Sequence, residues 1–364
     1  MSGMLLRLAC TTALAAQAVL VPAPAAAAPD PQRPGAAPQR PVAAPQRPAS
    51  QLLTDLQQLY RQAEKATETY NATAEKLKRQ RAEVSRLDGR LARARLALQD
   101  SRSDAGRLAR GQYQGTGGLG PYARLLLAPD PQYALDEGHV IGELARAQAR
   151  TVHRLTATEK QSDALARAAR KALDTQLTLA DRQREQRDDV QKRLDDVTRL
   201  LASLTPAQLS AVTALEQRGV TAAQQKLATS GSLPAARRAS PEGARAVRYA
   251  MDQLGKPYRW GAQGPDSYDC SGLTTQAWEH AGRTIPRTSQ EQWRRLKRIP
   301  LGELRPGDLV VYFPDATHVA MYVGAGKVVQ APRPGERIQM SPLASNPVLG
   351  AVRPDDQAPV TEAR

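Results

Sequence analysis

The sequence has few of the residues that usually build a large globular core or a disulfide framework. Of its 364 residues, 4% are aromatic, one is phenylalanine and 2 are cysteines. So few cysteines exclude a disulfide scaffold and a multi-cysteine metal site. The low aromatic content argues against one uniformly packed globule of this length. No run of about 18 apolar residues is present, so no internal membrane span is predicted.

The amino terminus has the pattern of a secretory signal. An apolar run from Leu8 to Val21 is followed by small residues at Ala25 to Ala27. We therefore expect residues 1–28 to be cleaved and the protein to be secreted, extracellular or cell-wall associated. A retained short helix is the alternative. Cys10 lies near the start of the apolar run and not after it, which argues against lipidation, and its removal with the signal would leave Cys270 as the single thiol.

A proline-rich segment over residues 29–50 repeats Pro-Gln-Arg-Pro three times. This composition is typical of a stiff polyproline linker. A docking segment for a partner protein or an anionic wall polymer is the alternative.

From residue 51 the sequence has a heptad pattern typical of long helices. Apolar residues recur in two series. The first, at seven-residue spacing, consists of Leu56, Ala63, Tyr70, Leu77, Val84, Leu91 and Leu98. The second consists of Leu59, Ala66, Leu87, Ala94 and Leu108. The glycine-rich stretch 111–121 should end this helix. A second long helix should reach about Leu204, with two further series: Leu173, Ala180, Leu194 and Leu201, and Val190, Val197 and Leu204. The pattern predicts an antiparallel helical hairpin, a coiled-coil arm over residues 51–219.

Shorter segments surround the two long helices. Residues 122–136 should form a helical corner between them. Thr205 and Pro206 should open a short third helix that ends at Gly219. Residues 220–239 are small, polar and interrupted by proline, which predicts a linker. The arm is either a structural coiled coil or a regulatory or docking arm that covers or positions an enzyme. Other cell-wall proteins are possible partners of the arm.

The formal net charge of +15 favours anionic surfaces such as cell-wall polymers or anionic lipid. Nucleic acid is not an expected partner, because the chain is predicted to be secreted and has no nucleic-acid-binding motif.

The composition changes at residue 240, after which aromatic residues and glycines become more frequent and alternating strands begin. Asp269 and Cys270 precede a helix with apolar periodicity that Gly282 closes. A cysteine at a helix N-terminus is exposed to the positive end of the helix dipole, which stabilises a thiolate and lowers the thiol pKa. A buried structural cysteine is the alternative.

A nucleophilic cysteine needs a histidine, and His318 is the best placed of the four in the sequence. It begins an alternating strand, whereas His280 lies too far along the cysteine's own helix. The strand that returns after a tight turn ends near Gln330, opposite or nearly opposite His318. The amide oxygen of Gln330 would fix the imidazole tautomer and direct the other ring nitrogen at the thiol.

Residues 240–354 resemble the NlpC family of papain-like peptidoglycan cysteine peptidases. The resemblance rests on five segments in order: Gly255-Lys-Pro-Tyr-Arg-Trp-Gly261, Asp269-Cys-Ser-Gly-Leu273, Ile285-Pro-Arg-Thr-Ser-Gln290, Arg305-Pro-Gly-Asp-Leu309 and His318-Val-Ala-Met-Tyr-Val-Gly324. It implies an α+β domain in which the nucleophile helix packs on an antiparallel sheet, followed by a tail over 355–364. It also implies cleavage of stem peptides, typically between D-isoglutamate and the diamino acid.

The resemblance implies a role for each matching residue. Cys270 would be the nucleophile, His318 the general base and then acid, and Gln330 the orienting residue at a position that is most often histidine in this family. Tyr258 would stabilise the oxyanion. Asp269, Ser271 and Ser289 match substrate-contacting positions, although Ser289 is also placed to cap a helix. No metal cluster or cofactor motif is present, and the chemistry needs neither.

Two other functions compete with the peptidase. In the first, the chain is a non-catalytic scaffold whose helices recruit or activate other wall hydrolases. Gln330 is its only sequence support, and the presence of both Cys270 and His318 argues against it. In the second, the same thiol chemistry acts by acyl transfer or amide cleavage on another wall or lipid substrate.

Overall fold

The structure, a computed structural model, describes residues 47–115, 130–231 and 237–356. The predicted signal, most of the proline-rich segment, much of the glycine-rich break and most of the C-terminal tail lie outside these ranges. All described residues belong to one compact unit. No helix in these ranges is long and apolar enough to cross a membrane.

Two long helices form the arm: α1 spans Ala49–Gly115 and α2 spans Pro131–Ser203. Their contacts show an antiparallel hairpin, because residues late in α2 meet residues early in α1. Near one end, the Arg193 guanidinium donates to Gln62 at 2.6 Å. Near the other end, Arg102 lies 3.6 Å from Glu159. The predicted helical hairpin is confirmed, and the two helices start and stop within a few residues of the predicted positions.

The apolar contact between the two helices follows the predicted pattern in α1 but only part of it in α2. The buried cluster halfway along the arm contains Leu87, Leu91, Ala94, Leu165, Ala169 and Ala172. Leu173, which we expected in the contact, is 45% exposed, so that expectation is wrong. The preceding residue, Ala172, is buried in this contact instead. The predicted corner over 122–136 is also wrong in its described part, since α2 already begins at Pro131.

The third helix, α3, spans Pro206–Thr229 and begins with a capping box formed by Thr205 and Gln208. The predicted end at Gly219 is wrong, since α3 continues for ten further residues into the predicted linker. Gln224, in this continuation, donates to the Gly326 carbonyl at 3.2 Å and accepts from the Ala344 N–H at 3.0 Å. The residues after Gly219 are mostly strong helix formers (Ala, Gln, Lys and Leu), so the single glycine does not end the helix, and these contacts with the C-terminal domain stabilise it further.

The C-terminal domain contains three helices and a six-stranded antiparallel sheet. The helices are α4 (Pro241–Asp252), α5 (Cys270–His280) and α6 (Ser289–Arg295). The strands are β1 (Lys297–Ile299), β2 (Leu309–Tyr312), β3 (His318–Gly324), β4 (Lys327–Gln330), β5 (Gln339–Pro342) and β6 (Val348–Arg353), in the sheet order β1-β6-β2-β3-β4-β5. The predicted α+β class is confirmed.

The sheet has an apolar core on each face. On one face, α4 and α5 pack against β3, and Trp278 is 1% exposed within this core. On the other face, Leu227 of α3 packs beside Val310, Tyr312 and Val328. Helix α5 therefore presents its first residue at the edge of β3, where that strand begins. This packing brings Cys270 and His318, 48 positions apart, into one site.

A candidate cysteine peptidase site covered by the arm

The candidate nucleophile is the first residue of α5. Cys270 is 3% exposed and is the free cysteine of the described chain. Asp269 caps the helix and accepts a hydrogen bond from the Gly272 N–H at 2.6 Å. A Cβ at Gly272 would lie 2.2 Å from the Ala262 carbonyl oxygen, so this position requires glycine. In the sequence Asp-Cys-Ser-Gly, the aspartate therefore caps the helix and the glycine allows the close contact with the Ala262 carbonyl.

His318 begins β3 and is oriented by Gln330 at the end of β4. Its Nε2 lies 2.7 Å from Gln330 Oε1, so the hydrogen bond expected from the sequence is present. The register pairs Met321 with Val329, which places Gln330 diagonally across from His318. With the amide oxygen as acceptor, Nε2 carries the proton and Nδ1 remains unprotonated. The backbone N–H of the next residue, Val319, donates to the Cys270 sulfur, so the thiol lies at this end of β3.

Tyr258 lies beside the thiol in the loop before α5 and is 8% exposed. Burial raises the pKa of its hydroxyl well above the usual value, and the nearby Cys270 and Asp269 raise it further. A hydroxyl with a raised pKa remains protonated and can donate a hydrogen bond. Its position beside Cys270 agrees with the oxyanion role that the resemblance implies.

Helix α1 of the arm inserts two carboxylates into this site. Glu64 Oε1 lies 3.5 Å from His318 Nδ1, the ring nitrogen that Gln330 does not use. Glu68 Oε1 accepts from the Ser271 hydroxyl at 2.7 Å, and its Oε2 accepts from the Ser289 N–H at 2.8 Å. Both glutamates are almost fully buried. The arm therefore occupies the space that a substrate would need.

Asp269 lies at the centre of a buried polar network that also includes the arm. Arg287 NH2 lies 2.7 Å from Asp269 Oδ2, and its NH1 donates to the Ser271 hydroxyl at 2.8 Å. Asn71 of α1 donates to Asp269 Oδ2 at 3.0 Å. The Arg287 guanidinium compensates the charge of Asp269, which would otherwise be costly to bury.

The covered state holds the candidate nucleophile and base in their neutral forms. Burial raises the pKa of the Cys270 thiol well above its usual value, and the carboxylates of Glu68, Asp269 and Glu64 raise it further. Burial lowers the pKa of His318 to about 4. The expectation that the helix N-terminus lowers the thiol pKa is wrong for this state, because exclusion of water and nearby negative charge outweigh the helix dipole.

The two arm glutamates also have raised pKa values. Burial raises the pKa of Glu68 to about 7, and the charge of Asp269 adds to this effect. Arg287 and the hydrogen bonds from Ser271 and Ser289 act in the opposite direction. Burial and the charge of Glu68 raise the pKa of Glu64 well above its usual value. Insertion of the arm is therefore coupled to the protonation of these side chains.

A second set of contacts holds the arm beside Gln330. Arg333, in the loop after β4, forms a two-point ion pair with Glu216 of α3, and its guanidinium stacks over the Tyr60 ring of α1. A cavity of about 850 Å³ lies between the arm and the C-terminal domain, and Glu64, Gln330 and Arg333 are among its lining residues.

The structure brings together every site residue expected from the sequence: Cys270, His318, Gln330, Tyr258, Asp269, Ser271 and Ser289. Sequence reasoning missed Glu64, Glu68 and Asn71 of the arm. In the sequence these residues look like the solvated face of a charged helix, and no local signal distinguishes them. Arg287 lies in one of the five segments that resemble the family, but the sequence alone does not indicate its role as the charge partner of Asp269.

Comparison with known proteins places the C-terminal domain in a family. The NlpC/P60 family model matches residues 255–351. A protein of Corynebacterium glutamicum named probable endopeptidase is 39% identical over 115 residues, which cover 32% of this chain and 55% of the relative. The murein DD-endopeptidase MepH of Escherichia coli is 40% identical over 131 residues, which cover 33% of this chain and 48% of the relative.

A solved structure also matches this domain. The NlpC/P60 domain of the peptidoglycan hydrolase SagA is 31% identical, and the match covers 30% of this chain and 97% of that structure, with a TM-score of 0.29. The chain spans about half the length of the two curated relatives above, and all of these matches cover about a third of this chain. The comparisons therefore concern the C-terminal domain.

Proposed function

Residues 255–351 of this chain belong to the NlpC/P60 family, and we propose that the chain is a secreted cysteine endopeptidase that hydrolyses peptidoglycan stem peptides. The observation that carries the proposal is the arrangement of three residues from separate elements. Cys270 begins a helix, His318 begins the neighbouring strand, and Gln330 orients the imidazole at 2.7 Å. This is the arrangement that thiol-dependent amide hydrolysis requires.

In the proposed reaction, His318 Nδ1 takes the thiol proton and the Cys270 sulfur attacks the carbonyl carbon of the substrate amide. The Tyr258 hydroxyl and the Cys270 N–H would hold the developing oxyanion. The protonated imidazole then gives its proton to the leaving amine as the carbon–nitrogen bond breaks. Water, deprotonated by His318, hydrolyses the thioester and restores the free thiol.

The contacts of the arm support a substrate that carries a carboxylate beside the scissile bond. Glu68 occupies a place where the Ser271 hydroxyl and the Ser289 N–H both donate to one carboxylate. The α-carboxylate of D-isoglutamate would take the same donors. The Asn71 amide donates to Asp269, as the free amine of an N-terminal residue would. We infer cleavage between D-isoglutamate and the diamino acid from this pair of contacts.

The described state is an inhibited one in this proposal. Glu64 faces the general base, and Glu68 fills the candidate carboxylate site. Substrate and arm cannot occupy the same place, so the arm must move before catalysis. These direct contacts of Glu64 and Glu68 with the site support an inhibitory role for the arm.

The test uses the full chain with Glu64→Ala and Glu68→Ala, which removes both carboxylates from the site. A defined stem peptide, L-Ala-γ-D-Glu-diamino acid-D-Ala, is incubated with this variant, and the products are read by mass spectrometry. We expect release of L-Ala-γ-D-Glu, and a loss of at least about a thousandfold when Cys270→Ala is added. Undiminished cleavage by the Cys270→Ala chain, or cleavage at another bond, would contradict the proposal.

Export is a separate part of the proposal and rests on the sequence pattern of residues 1–28. Expression of the full gene in a Gram-positive host, followed by N-terminal sequencing of protein from the medium and the wall, tests it. A mature chain that begins near Pro29 is expected. Retention of the whole chain inside the cell would contradict it.

A further inference from the structure

Arg333 has the geometry of a carboxylate receptor. Its NH1 donates to Glu216 Oε1 at 2.8 Å and its NH2 donates to Glu216 Oε2 at 3.1 Å. Its Nε donates to Glu336 Oε1 at 2.5 Å. A guanidinium that presents two parallel N–H donors matches the two oxygens of one carboxylate, whereas a lysine ammonium does not.

The two carboxylates around Arg333 come from different parts of the molecule. Glu336 lies three residues further along the same loop, so it would stay with Arg333 when the arm moves. Glu216 belongs to α3, and the Tyr60 ring under the guanidinium belongs to α1. Departure of the arm would therefore leave the two-point face of Arg333 open while Glu336 continues to hold Nε.

Helix α1 shows where this receptor lies relative to the catalytic pair. Tyr60, Glu64 and Glu68 are four residues apart, so successive members are about 6 Å apart along the helix axis. Glu68 contacts Ser271, Glu64 faces His318, and Tyr60 stacks on Arg333. The candidate carboxylate site at Ser271 and the guanidinium of Arg333 thus lie on opposite sides of the general base.

The cavity beside Gln330 provides room on the Arg333 side. It has a volume of about 850 Å³, and both Arg333 and Glu216 line it. If the isoglutamyl half of a stem peptide lies at Ser271 and Ser289, the leaving half must extend toward this cavity. The charge of Arg333 acts on the Glu64 carboxylate, which faces His318, so the guanidinium lies on the side of the general base toward which a side-chain carboxylate of the first leaving-group residue would extend.

We propose that Arg333 binds the second carboxylate of a dicarboxylic diamino acid in the leaving half of the substrate, and that Glu216 occupies this receptor while the arm is in place. The inference rests on the proposed peptidase function and adds a determinant of specificity to it. The preferred substrate is therefore a stem peptide with diaminopimelate. A peptide with lysine at the same position lacks the carboxylate that Arg333 would bind.

The test compares two full-length variants that both carry Glu64→Ala and Glu68→Ala, so that the site is open, and that both lack the ion pair to the arm. Glu216→Gln breaks the pair and keeps Arg333, whereas Glu216→Gln with Arg333→Met removes the receptor as well. Both are assayed with L-Ala-γ-D-Glu-diaminopimelate and L-Ala-γ-D-Glu-lysine, each amidated at the main-chain carboxyl. The ratio of kcat/KM for the two peptides within one variant does not depend on how far the arm has opened.

In the Glu216→Gln variant, kcat/KM for the diaminopimelate peptide should exceed that for the lysine peptide by at least about tenfold. This is the effect of a charge-assisted hydrogen-bond pair that the lysine peptide cannot form. It should fall to within about twofold when Arg333→Met is added. Arg333→Lys in the same background, which keeps the charge but loses the fork, should give an intermediate ratio. An equal preference with and without Arg333 would overturn the inference.

Binding separates this inference from the proposed function. The dissociation constants of the two peptides are measured by calorimetry on the same variants carrying Cys270→Ser. Selective binding that depends on Arg333, without cleavage by any chain that retains Cys270, supports the receptor and contradicts the peptidase. Cleavage without selectivity contradicts the receptor alone. Failure to bind either peptide overturns the receptor, provided that circular dichroism shows a folded chain.

Discussion

Glu64 of the arm faces His318 of the sheet, with 3.5 Å between Oε1 and Nδ1. Gln330 uses the other ring nitrogen, so Nδ1 is the nitrogen available to a thiol proton. Within the described chain, neither Nδ1 nor Glu64 Oε2 has a hydrogen-bond partner. The contact therefore closes the site without a strong bond at its centre.

Removing the arm glutamates should expose the thiol. In the full chain, Cys270 is buried and its pKa is raised, so a thiol reagent near neutral pH should react slowly. With Glu64→Ala and Glu68→Ala, the charge-assisted hydrogen bonds to Ser271 and Ser289 are lost, and the labelling rate should rise about tenfold or more. The rate is measured by mass spectrometry over time.

Glu83→Ala is the matched control for this experiment. Glu83 lies on the same helix and pairs with Arg86 at the protein surface, away from the site. It should label at the rate of the unmodified chain. If the double variant labels as slowly as the control, the arm does not protect Cys270 and the inhibition proposal fails.

Release of the arm should increase as pH rises from about 5 to 7. The pKa of Glu68 is raised to about 7 in the covered state, whereas an exposed glutamate has a pKa of about 4.3. Between these two pKa values the covered state holds a proton that the open state lacks, so it loses stability until pH passes about 7. The pKa of Glu64 is raised as well and acts in the same direction, whereas the raised pKa of Cys270 favours opening only above about pH 8.5, where a free thiol ionises.

His318 has the opposite effect at lower pH. Its pKa is lowered to about 4 in the covered state, so an open imidazole with a pKa of about 6.5 would gain a proton below that value. This favours opening in acid and offsets part of the carboxyl effect below pH 6.5.

Trp260 packs edge-on against Tyr70 of the arm at 5.1 Å, so tryptophan emission reports opening. A Glu68→Gln chain should show a shallower change; an equal change would contradict the assignment to Glu68.

Gln330 should act on the catalytic rate more than on substrate binding. Gln330→Ala removes the acceptor for His318 Nε2, which frees the ring to rotate and change tautomer. When Gln330→Ala is combined with Glu64→Ala and Glu68→Ala, which open the site, kcat should fall about 10- to 100-fold with little change in KM. Gln330→His, the commonest residue at this position in the family, should restore much of the rate. A fall in binding alone would mean that Gln330 contacts substrate and does not orient His318.

The ion pair between Arg287 and Asp269 should be important for stability. Both side chains are nearly inaccessible, at 6% and 0% exposure. Arg287→Met would leave the Asp269 charge buried without a partner, which costs about 3–5 kcal/mol. Thermal unfolding followed by circular dichroism measures this loss. Arg294→Met, at an exposed arginine of the next helix, is the control and should change stability by less than about 0.5 kcal/mol.

Much of the fold follows from local pattern. The apolar series of α1 predicts a helix that is buried on one side, and Leu77, Leu91 and Leu98 are indeed buried. The expected end of α3 at Gly219 is wrong because one glycine costs a helix only about 1 kcal/mol and the residues after it, mostly Ala, Gln, Lys and Leu, favour a helix. What local propensity does not contain is the docking of this extension through Gln224 on the C-terminal domain.

The sequence by itself determined the components of the site. A cysteine after an Asp cap, a histidine at the start of a strand and a glutamine on the returning strand are local patterns, and the fold brings them together. The tertiary structure alone decided the state of the site. Glu64 and Glu68 lie more than 200 residues from their partners, and only the docking of the arm brings these carboxylates to the buried Cys270 and His318. That burial reverses the thiol pKa expected from the helix N-terminus, because the desolvation of a charge outweighs the effect of a helix dipole.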